Sequence, residues 1–149
     1  MDGGRFTPCG SFDTLHLAWD AATALAEVQA VVFLPQGMVT VPSSPWTLVP
    51  VDGVISRVLD LTVPATLATL GTNEQELTGA WETMAGSPTQ ILGQAAFDSG
   101  RISAIRYHSA KNLGGGFNLA VFPARLPLTA TDFLEVMDDR GQLAQRLGG

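Results

Sequence analysis

The chain has few of the residues on which metal and cofactor chemistry depends. Among 149 residues there is one cysteine, Cys9, and there are two histidines, His16 and His108. A single cysteine excludes an internal disulfide, and two histidines without a neighbouring carboxylate pair offer a metal ion too few ligands. We therefore expect no metal site and no resident cofactor.

Positive charge is also scarce, since 8 lysines and arginines stand against 14 aspartates and glutamates, a net charge of −6. Nucleic acid is not an expected direct partner, because binding to a phosphate backbone needs clustered Lys and Arg. No apolar run approaches the roughly 20 residues of a membrane-spanning helix. The first residues resemble neither a signal nor a transit peptide, so we expect a cytoplasmic protein without membrane contact.

The hydrophobic fraction of 46% fits one folded domain with its own core. Strand and helix patterns alternate without a repeat or a low-complexity linker. They predict strands at 14–18, 31–34, 54–61, 102–107 and 118–122, and helices at 21–30, 65–70, 74–84 and 88–97. The expected fold class is α+β, a mixed single domain of about six strands and four helices.

Helix ends are indicated by capping residues. Asp20 and Ser87 are short polar residues of the kind that cap a helix start, and Pro64 and Pro88 suit a first turn. Gly71 fits a C-terminal stop. The helices between 64 and 97 are apolar enough that we expect them to lie in the core.

Several familiar site motifs are missing. The triplet 114–116 is all glycine but has no Gly-Lys-Ser/Thr ending, so it is either a flexible turn or a close approach to a ligand phosphate. Ser109 lacks the glycines of a hydrolase nucleophile elbow, and only His16 or His108 could serve as its base. Neither a phosphate-loop nucleotidase nor a serine hydrolase is indicated.

Glu27 is the most informative single residue, because it is one acid on an alanine-rich helix that directly follows a short strand. Taken alone, such a residue is usually a solvated surface acid. Candidate anchors for one anionic small molecule are the basic residues Arg5, Arg101, Arg106 and Lys111.

Three blocks together resemble the RES domain, a family named for Arg, Glu and Ser. The first is GGRFTPCGSF at 3–12, and the second joins LHLA at 15–18 to TALAE at 23–27. The third joins IRYHSAK at 105–111 to GGGFNLAVF at 114–122. Segments 57–61 and 88–93 are also similar, so the resemblance covers residues 3–126 and identifies 1–149 as a single RES domain.

The resemblance implies a fold similar to ADP-ribosyltransferase toxins and an activity that cleaves the nicotinamide–ribose bond of NAD. NAD is then a substrate, phosphate is a potential co-substrate, and the protein partner is an Xre-like antitoxin. Two alternatives remain open: a catalytically weak or inactive RES module that acts through an antitoxin-like partner, and a protein ADP-ribosyltransferase. A homo-oligomer is also open.

The resemblance further implies that Glu27, Ser109 and Arg5 are the catalytic residues. A carboxylate beside the ribose stabilises the positive charge of an oxocarbenium-like transition state, while guanidinium and hydroxyl groups suit phosphates and ribose hydroxyls. The residues expected to contact NAD are Arg5, Phe6, His16, Tyr107 and Ser109.

Two departures from the family pattern bear on activity. RES proteins have a further strand with an arginine before the first block, and this sequence begins too late to contain it. Two alternatives are open: the true start lies upstream of Met1, or this is a shortened member with lower NAD affinity and turnover. His16 stands where the family has tyrosine, and imidazole stacks more weakly and titrates near neutral pH, so we expect pH-dependent activity. Thr7 for asparagine and Lys111 for arginine are milder changes.

Overall fold

The computed structural model describes residues 3–42, 45–79, 86–126, 131–138 and 145–148. These ranges hold nine strands and four α-helices, which confirms the α+β class but not the expected six strands. In chain order the elements are β1 (Leu15–Ala18), α1 (Ala21–Glu27), β2 (Val31–Leu34), β3 (Gly37–Thr40), β4 (Val51–Val54), β5 (Val58–Asp60), α2 (Pro64–Leu70), α3 (Glu74–Thr78), α4 (Pro88–Asp98), β6 (Ala104–His108), β7 (Phe117–Val121), β8 (Phe133–Val136) and β9 (Arg146–Gly148).

The largest sheet has the strand order β1-β7-β6-β5, in which β7 pairs antiparallel with both β1 and β6, and β5 pairs parallel with β6. The register sets Tyr107 opposite Asn118, and His16 opposite Ala120. Directly paired residues share a face, and side chains alternate along a strand. His16, Tyr107 and Asn118 therefore project from the same face of this sheet.

Buried side chains form one cluster on each face of the sheet. The face from which His16, Tyr107 and Asn118 project carries the larger cluster, which comprises Phe6, Phe12, Leu61, Leu77, Ala96, Ile105, Tyr107, Ala120 and Phe122. The opposite face carries Ala104, Val121, Leu126 and Leu134 and adjoins the sheet β4-β8-β9. Since residues of β6 and β7 enter both clusters, these two strands form the centre of the domain.

The N-terminal block folds as a tight turn against α4. Gly4 and Thr7 exchange two backbone hydrogen bonds of 2.8 and 3.1 Å, and the Gln90 side-chain amide donates to the Gly4 carbonyl at 3.1 Å. Gly93 allows this contact, because a Cβ at that position would lie 1.8 Å from the Phe6 carbonyl oxygen. The turn is thus anchored to α4 through a glycine and a glutamine.

Capping explains which helix boundaries the sequence predicts correctly. The side chains of Asp20 and Ser87 each accept a hydrogen bond from the backbone N–H three residues later in the chain, as N-caps do. Gly71 ends α2 in the left-handed conformation at φ 67°. By contrast, α1 ends at Glu27 rather than at residue 30, because Gln29 turns the chain with φ 58°.

Other predictions in the middle of the chain were wrong. The strand expected at 54–61 is two strands, β4 and β5, which belong to different sheets. The helix expected at 74–84 ends at Thr78, where Gly79 becomes extended, and residues 80–84 lie outside the described ranges. Helix α2 contains no buried residue, so it covers the core instead of lying within it.

Strands β3, β8 and β9 were not predicted. β3 forms a hairpin with β2 across the two residues 35–36, and β8 pairs with β4 far back in the chain. Among the helices of the described ranges, none is long and apolar enough to cross a membrane.

The close approach at Gly93 predicts a stability effect. Gly93→Ala should lower the free energy of unfolding by about 1–3 kcal/mol, because the new methyl group overlaps backbone atoms that cannot move aside cheaply. Thermal and urea unfolding monitored by circular dichroism measure the change. Ile91→Ala is the control, since Ile91 lies on the same helix with 63% of its surface exposed; equal losses in both variants would contradict the prediction.

Candidate functional site

Glu27 is the last residue of α1, a helix of two turns that begins shortly after the edge strand β1 ends. Its N-cap Asp20 accepts hydrogen bonds from the Thr23 backbone N–H at 2.8 Å and from the Thr23 hydroxyl at 2.9 Å. The cap therefore fixes both the helix start and the buried Thr23 side chain. Glu27 lies seven residues after Asp20, beside the C-terminal end of β6 and the N-terminal end of β7.

One carboxylate oxygen of Glu27 accepts two side-chain hydrogen bonds. The Ser109 hydroxyl donates to Oε1 at 2.7 Å, and the Asn118 amide nitrogen donates to the same oxygen at 2.6 Å. Among the described residues no hydrogen bond reaches Oε2, and Glu27 is exposed. The carboxylate is thus held through one oxygen, Oε1.

Ser109 is buried just beyond the end of β6, and its hydroxyl is fully engaged. Its oxygen accepts hydrogen bonds from the backbone N–H groups of Lys111 at 3.2 Å and of Asn112 at 2.9 Å, while its O–H donates a hydrogen bond to Glu27. No described contact joins Ser109 to either histidine, so neither histidine is placed to act as its base. Its geometry is that of a residue that positions Glu27.

Asn112 connects the glycine triplet to α1. Its amide nitrogen donates to the Thr23 hydroxyl at 2.8 Å, and its amide oxygen accepts from the Gly114 N–H at 2.9 Å. A Cβ at Gly116 would lie 2.2 Å from the Thr23 oxygen, and Gly115 has φ 95°. The triplet is therefore a turn in which close contacts require Gly116 and a positive φ favours Gly115; approach to a ligand phosphate stays a prediction.

Tyr107 and His16 lie together beside this carboxylate. The Tyr107 hydroxyl is 3.4 Å from His16 Nδ1. Burial and then the Glu27 charge raise the pKa of Tyr107 to about 12, against opposing effects of Arg5 and of a hydrogen bond with Asn118. Tyr107 is therefore a neutral hydroxyl at any physiological pH.

His16 has the opposite shift. Desolvation by the surrounding atoms lowers the pKa of His16 below 6.5, Glu27 opposes this shift, and the Arg5 charge adds to it. The residue as a whole is nevertheless exposed, so water still reaches it. At neutral pH the imidazole is accordingly uncharged.

Arg5 and Phe6 form the tip of the N-terminal turn. The Arg5 guanidinium donates to the carbonyl oxygens of Leu77 and Gly79, and its charge also acts on the pKa values of His16 and Tyr107. Phe6 is fully buried and packs edge-on against the Tyr107 ring at 4.8 Å between centroids. Phe6 thus packs against Tyr107 and has no exposed surface, which corrects the expectation of direct contact with NAD.

Arg106 lies outside this site. It projects from the opposite face of the central sheet, where it forms an ion pair with Asp60 at 3.3 Å. Its guanidinium also lies 3.8 Å from the centre of the Phe117 ring. These contacts exclude Arg106 as an anchor for an anion beside Glu27.

An open cleft of about 530 Å³ lies next to Ser109, which forms part of its wall. Its walls are the helix α3 and the turn between β6 and β7, and it is lined by Glu74, Gln75, Thr78, His108, Ser109, Ala110, Asn112, Leu113, Gly115 and Gly116. Its volume is in the range of small-molecule sites. Glu27, His16 and Arg5 do not line this cleft, so Ser109 marks the junction between it and the carboxylate.

The described residues contain no group of three or more His, Cys, Asp and Glu side chains placed to hold a metal ion. The side chains around the anchored Glu27 carboxylate supply amide, hydroxyl, imidazole and guanidinium groups. This is a mixed α+β domain with an Arg-Glu-Ser site, in which Glu27 and Ser109 are in direct contact and Arg5 acts from the adjoining turn.

That combination is found in the RES domain family, and the comparison of sequences agrees. The family model of the RES domain matches residues 1–140, so the chain belongs to this family. Searches of curated proteins and of solved structures each returned no significant match.

Asn118 is the residue that we did not predict from the sequence. It is buried, it donates to Glu27, and it also acts on Tyr107. The available signal was its place in β7, where a single amide interrupts an otherwise apolar strand. A buried polar residue in such a strand needs a partner, and here the partner is the carboxylate.

Tyr107 is the only tyrosine of the chain, so absorbance at 295 nm reports its ionisation alone. We expect a midpoint at about pH 12 in the folded protein, against 10.0 for an ordinary tyrosine. Because the folded pKa is the higher one, this shift contributes stability below pH 10 that is lost as the pH rises towards 12.

Glu27→Gln should lower that midpoint without restoring it to 10.0, since burial is the larger of the two causes. Circular dichroism at each pH shows whether the protein is still folded. A folded protein that titrates near pH 10 would contradict the assignment of Tyr107 to this buried site.

Proposed function

We propose that this protein is a toxin that degrades NAD by cleaving the bond between nicotinamide and ribose. The observation that supports this best is the anchoring of Glu27: Ser109 and Asn118 both donate to Oε1, and Glu27 is nevertheless an exposed residue. A fixed negative charge of this kind stabilises a cation that exists only in the transition state.

Breaking the N-glycosidic bond of NAD releases neutral nicotinamide and leaves an oxocarbenium-like ribose. Glu27 would lie beside this ribose and stabilise its positive charge through Oε2. Ser109 and Asn118 prevent the carboxylate from turning away, so little reorganisation is needed as the charge develops. Both residues thus act through Glu27.

The neutral imidazole of His16 would contact the nicotinamide ring, and Arg5 would attract the pyrophosphate.

The released ribose cation must then be captured. Attack by water gives ADP-ribose, nicotinamide and one proton, whereas attack by inorganic phosphate gives the 1-phosphate of ADP-ribose. Oε2 of Glu27 could accept the proton from water. Transfer to a protein side chain is the third alternative, and the three acceptors are distinguished by their products.

We propose further that the protein acts in the cytoplasm and is inhibited there by an Xre-like antitoxin. The RES family is typically found in toxin–antitoxin systems, which is the basis for this partner. Toxicity predicts that expression without the partner stops growth and depletes NAD, and that the loss of Glu27 relieves both effects.

Glu27→Gln should lower nicotinamide release from NAD by about 100-fold or more, because it removes the charge. The glutamine oxygen still accepts the hydrogen bonds from Ser109 and Asn118, so the fold should be retained. Release is followed by chromatography with and without phosphate, and the second product identifies the acceptor.

Glu135→Gln is the matched control, since Glu135 lies on β8 in an exposed ion pair with Arg146. This control should retain full activity. Equal activity in the Glu27 and Glu135 variants, or no release by the wild type, would refute the NAD-cleaving proposal and favour the non-catalytic module.

Asn118→Leu should lower kcat by about 10- to 100-fold, because Glu27 loses one of its two donors and becomes misplaced. Asn118→Asp should be worse, since it sets a second carboxylate against the first. Steady-state kinetics and thermal unfolding are measured on both variants. If Asp and Leu are equally active, or if activity falls only in proportion to stability, Asn118 does not position Glu27.

A further inference from the structure

The hairpin of β2 and β3 leaves one apolar face uncovered. Its register pairs Val32 with Val39, so both project from the same face, together with Leu34 and Val41 two residues further along each strand. These four side chains are between 39% and 48% exposed. On the other face Val31 is 4% exposed and buried against the protein.

The edges of this hairpin are also unprotected. Within the described ranges, β2 and β3 pair only with each other. Natural proteins usually guard such edges with lysines or other charges. Here residues 28–51 contain no Asp, Glu, Lys, Arg or His. All 14 acidic residues and all 8 lysines and arginines lie outside this segment.

The uncharged segment also contains exposed apolar residues that follow the hairpin. Trp46, Leu48 and Val49 belong to this segment and are 48% to 53% exposed. Large exposed apolar patches are uncommon on monomers and usually mark an interface. The absence of charge from this whole segment indicates which partner fits.

Two copies of a chain with a net charge of −6 repel each other over most of their surfaces. They can approach most closely where neither carries charge, and residues 28–51 form such a segment. A different protein would find no charge there with which to form complementary pairs. An apolar strand face is moreover complementary to itself about a twofold axis.

We infer that the protein forms a twofold homodimer through the face of the β2–β3 hairpin that carries Val32, Leu34, Val39 and Val41. The apolar side chains of the two copies interdigitate across the axis. Because a stable dimer usually buries about 800 Å² per partner, this small face should give a dissociation constant of about micromolar. The inference does not depend on the proposed enzymatic activity.

Sedimentation velocity of the full chain tests this between about 1 and 100 µM. Wild-type protein should change from monomer to dimer over this range. Val32→Glu with Val39→Glu, which places four carboxylates in the twofold interface, should weaken the dimer at least tenfold. Val39→Thr, which is close in shape, should weaken it several-fold with the fold retained, as circular dichroism would verify.

Met38→Glu is the control, because Met38 is 51% exposed but projects from the opposite face of the same hairpin. It should dimerise like the wild type. A monomer at every concentration would overturn the inference and leave the hairpin face to a different protein. A dimer that withstands Val39→Thr and the double substitution, or that Met38→Glu weakens equally, would also overturn it.

Discussion

The site depends on one carboxylate oxygen of Glu27, which accepts two hydrogen bonds. The donors come from the end of β6 and from β7, while the acceptor ends a helix that begins beside β1. Each donor is itself constrained, Ser109 by two backbone N–H groups and Asn118 by its place in the ladder. The carboxylate is thereby fixed relative to three elements of the central sheet.

Strand β7 combines two environments because its side chains alternate between faces. Asn118 projects towards the site and contacts Glu27, whereas the neighbouring Phe117 projects to the other face beneath the Arg106 guanidinium. A slip of one residue in the pairing of β7 would exchange these faces and remove the site. The pairing of β7 with strands on both sides opposes such a slip.

Features that depend on neighbouring residues were predictable from the sequence. The caps at Asp20 and Ser87, the stop at Gly71 and the strand at 31–34 all follow from local chemistry and periodicity. The family resemblance, not periodicity, selected Glu27 and Ser109, and the structure brings these two residues into contact.

Features that depend on distant parts of the chain were not predictable. The pairing of β4 with β8 joins residues far apart, so no local pattern distinguishes β4 from the strand that follows. The burial of Phe6 depends on the absence of a side chain at Gly93, and the role of Asn118 depends on where α1 ends. A sequence states residue types, but tertiary contacts decide which of them meet.

The separation between Glu27 and its partners also bears on synthesis of the protein. Ser109 lies 82 residues and Asn118 lies 91 residues after Glu27. Until the ribosome has made both donors, the carboxylate of Glu27 is unanchored. The arrangement of Glu27, Ser109 and Asn118 therefore assembles only after β7 has emerged.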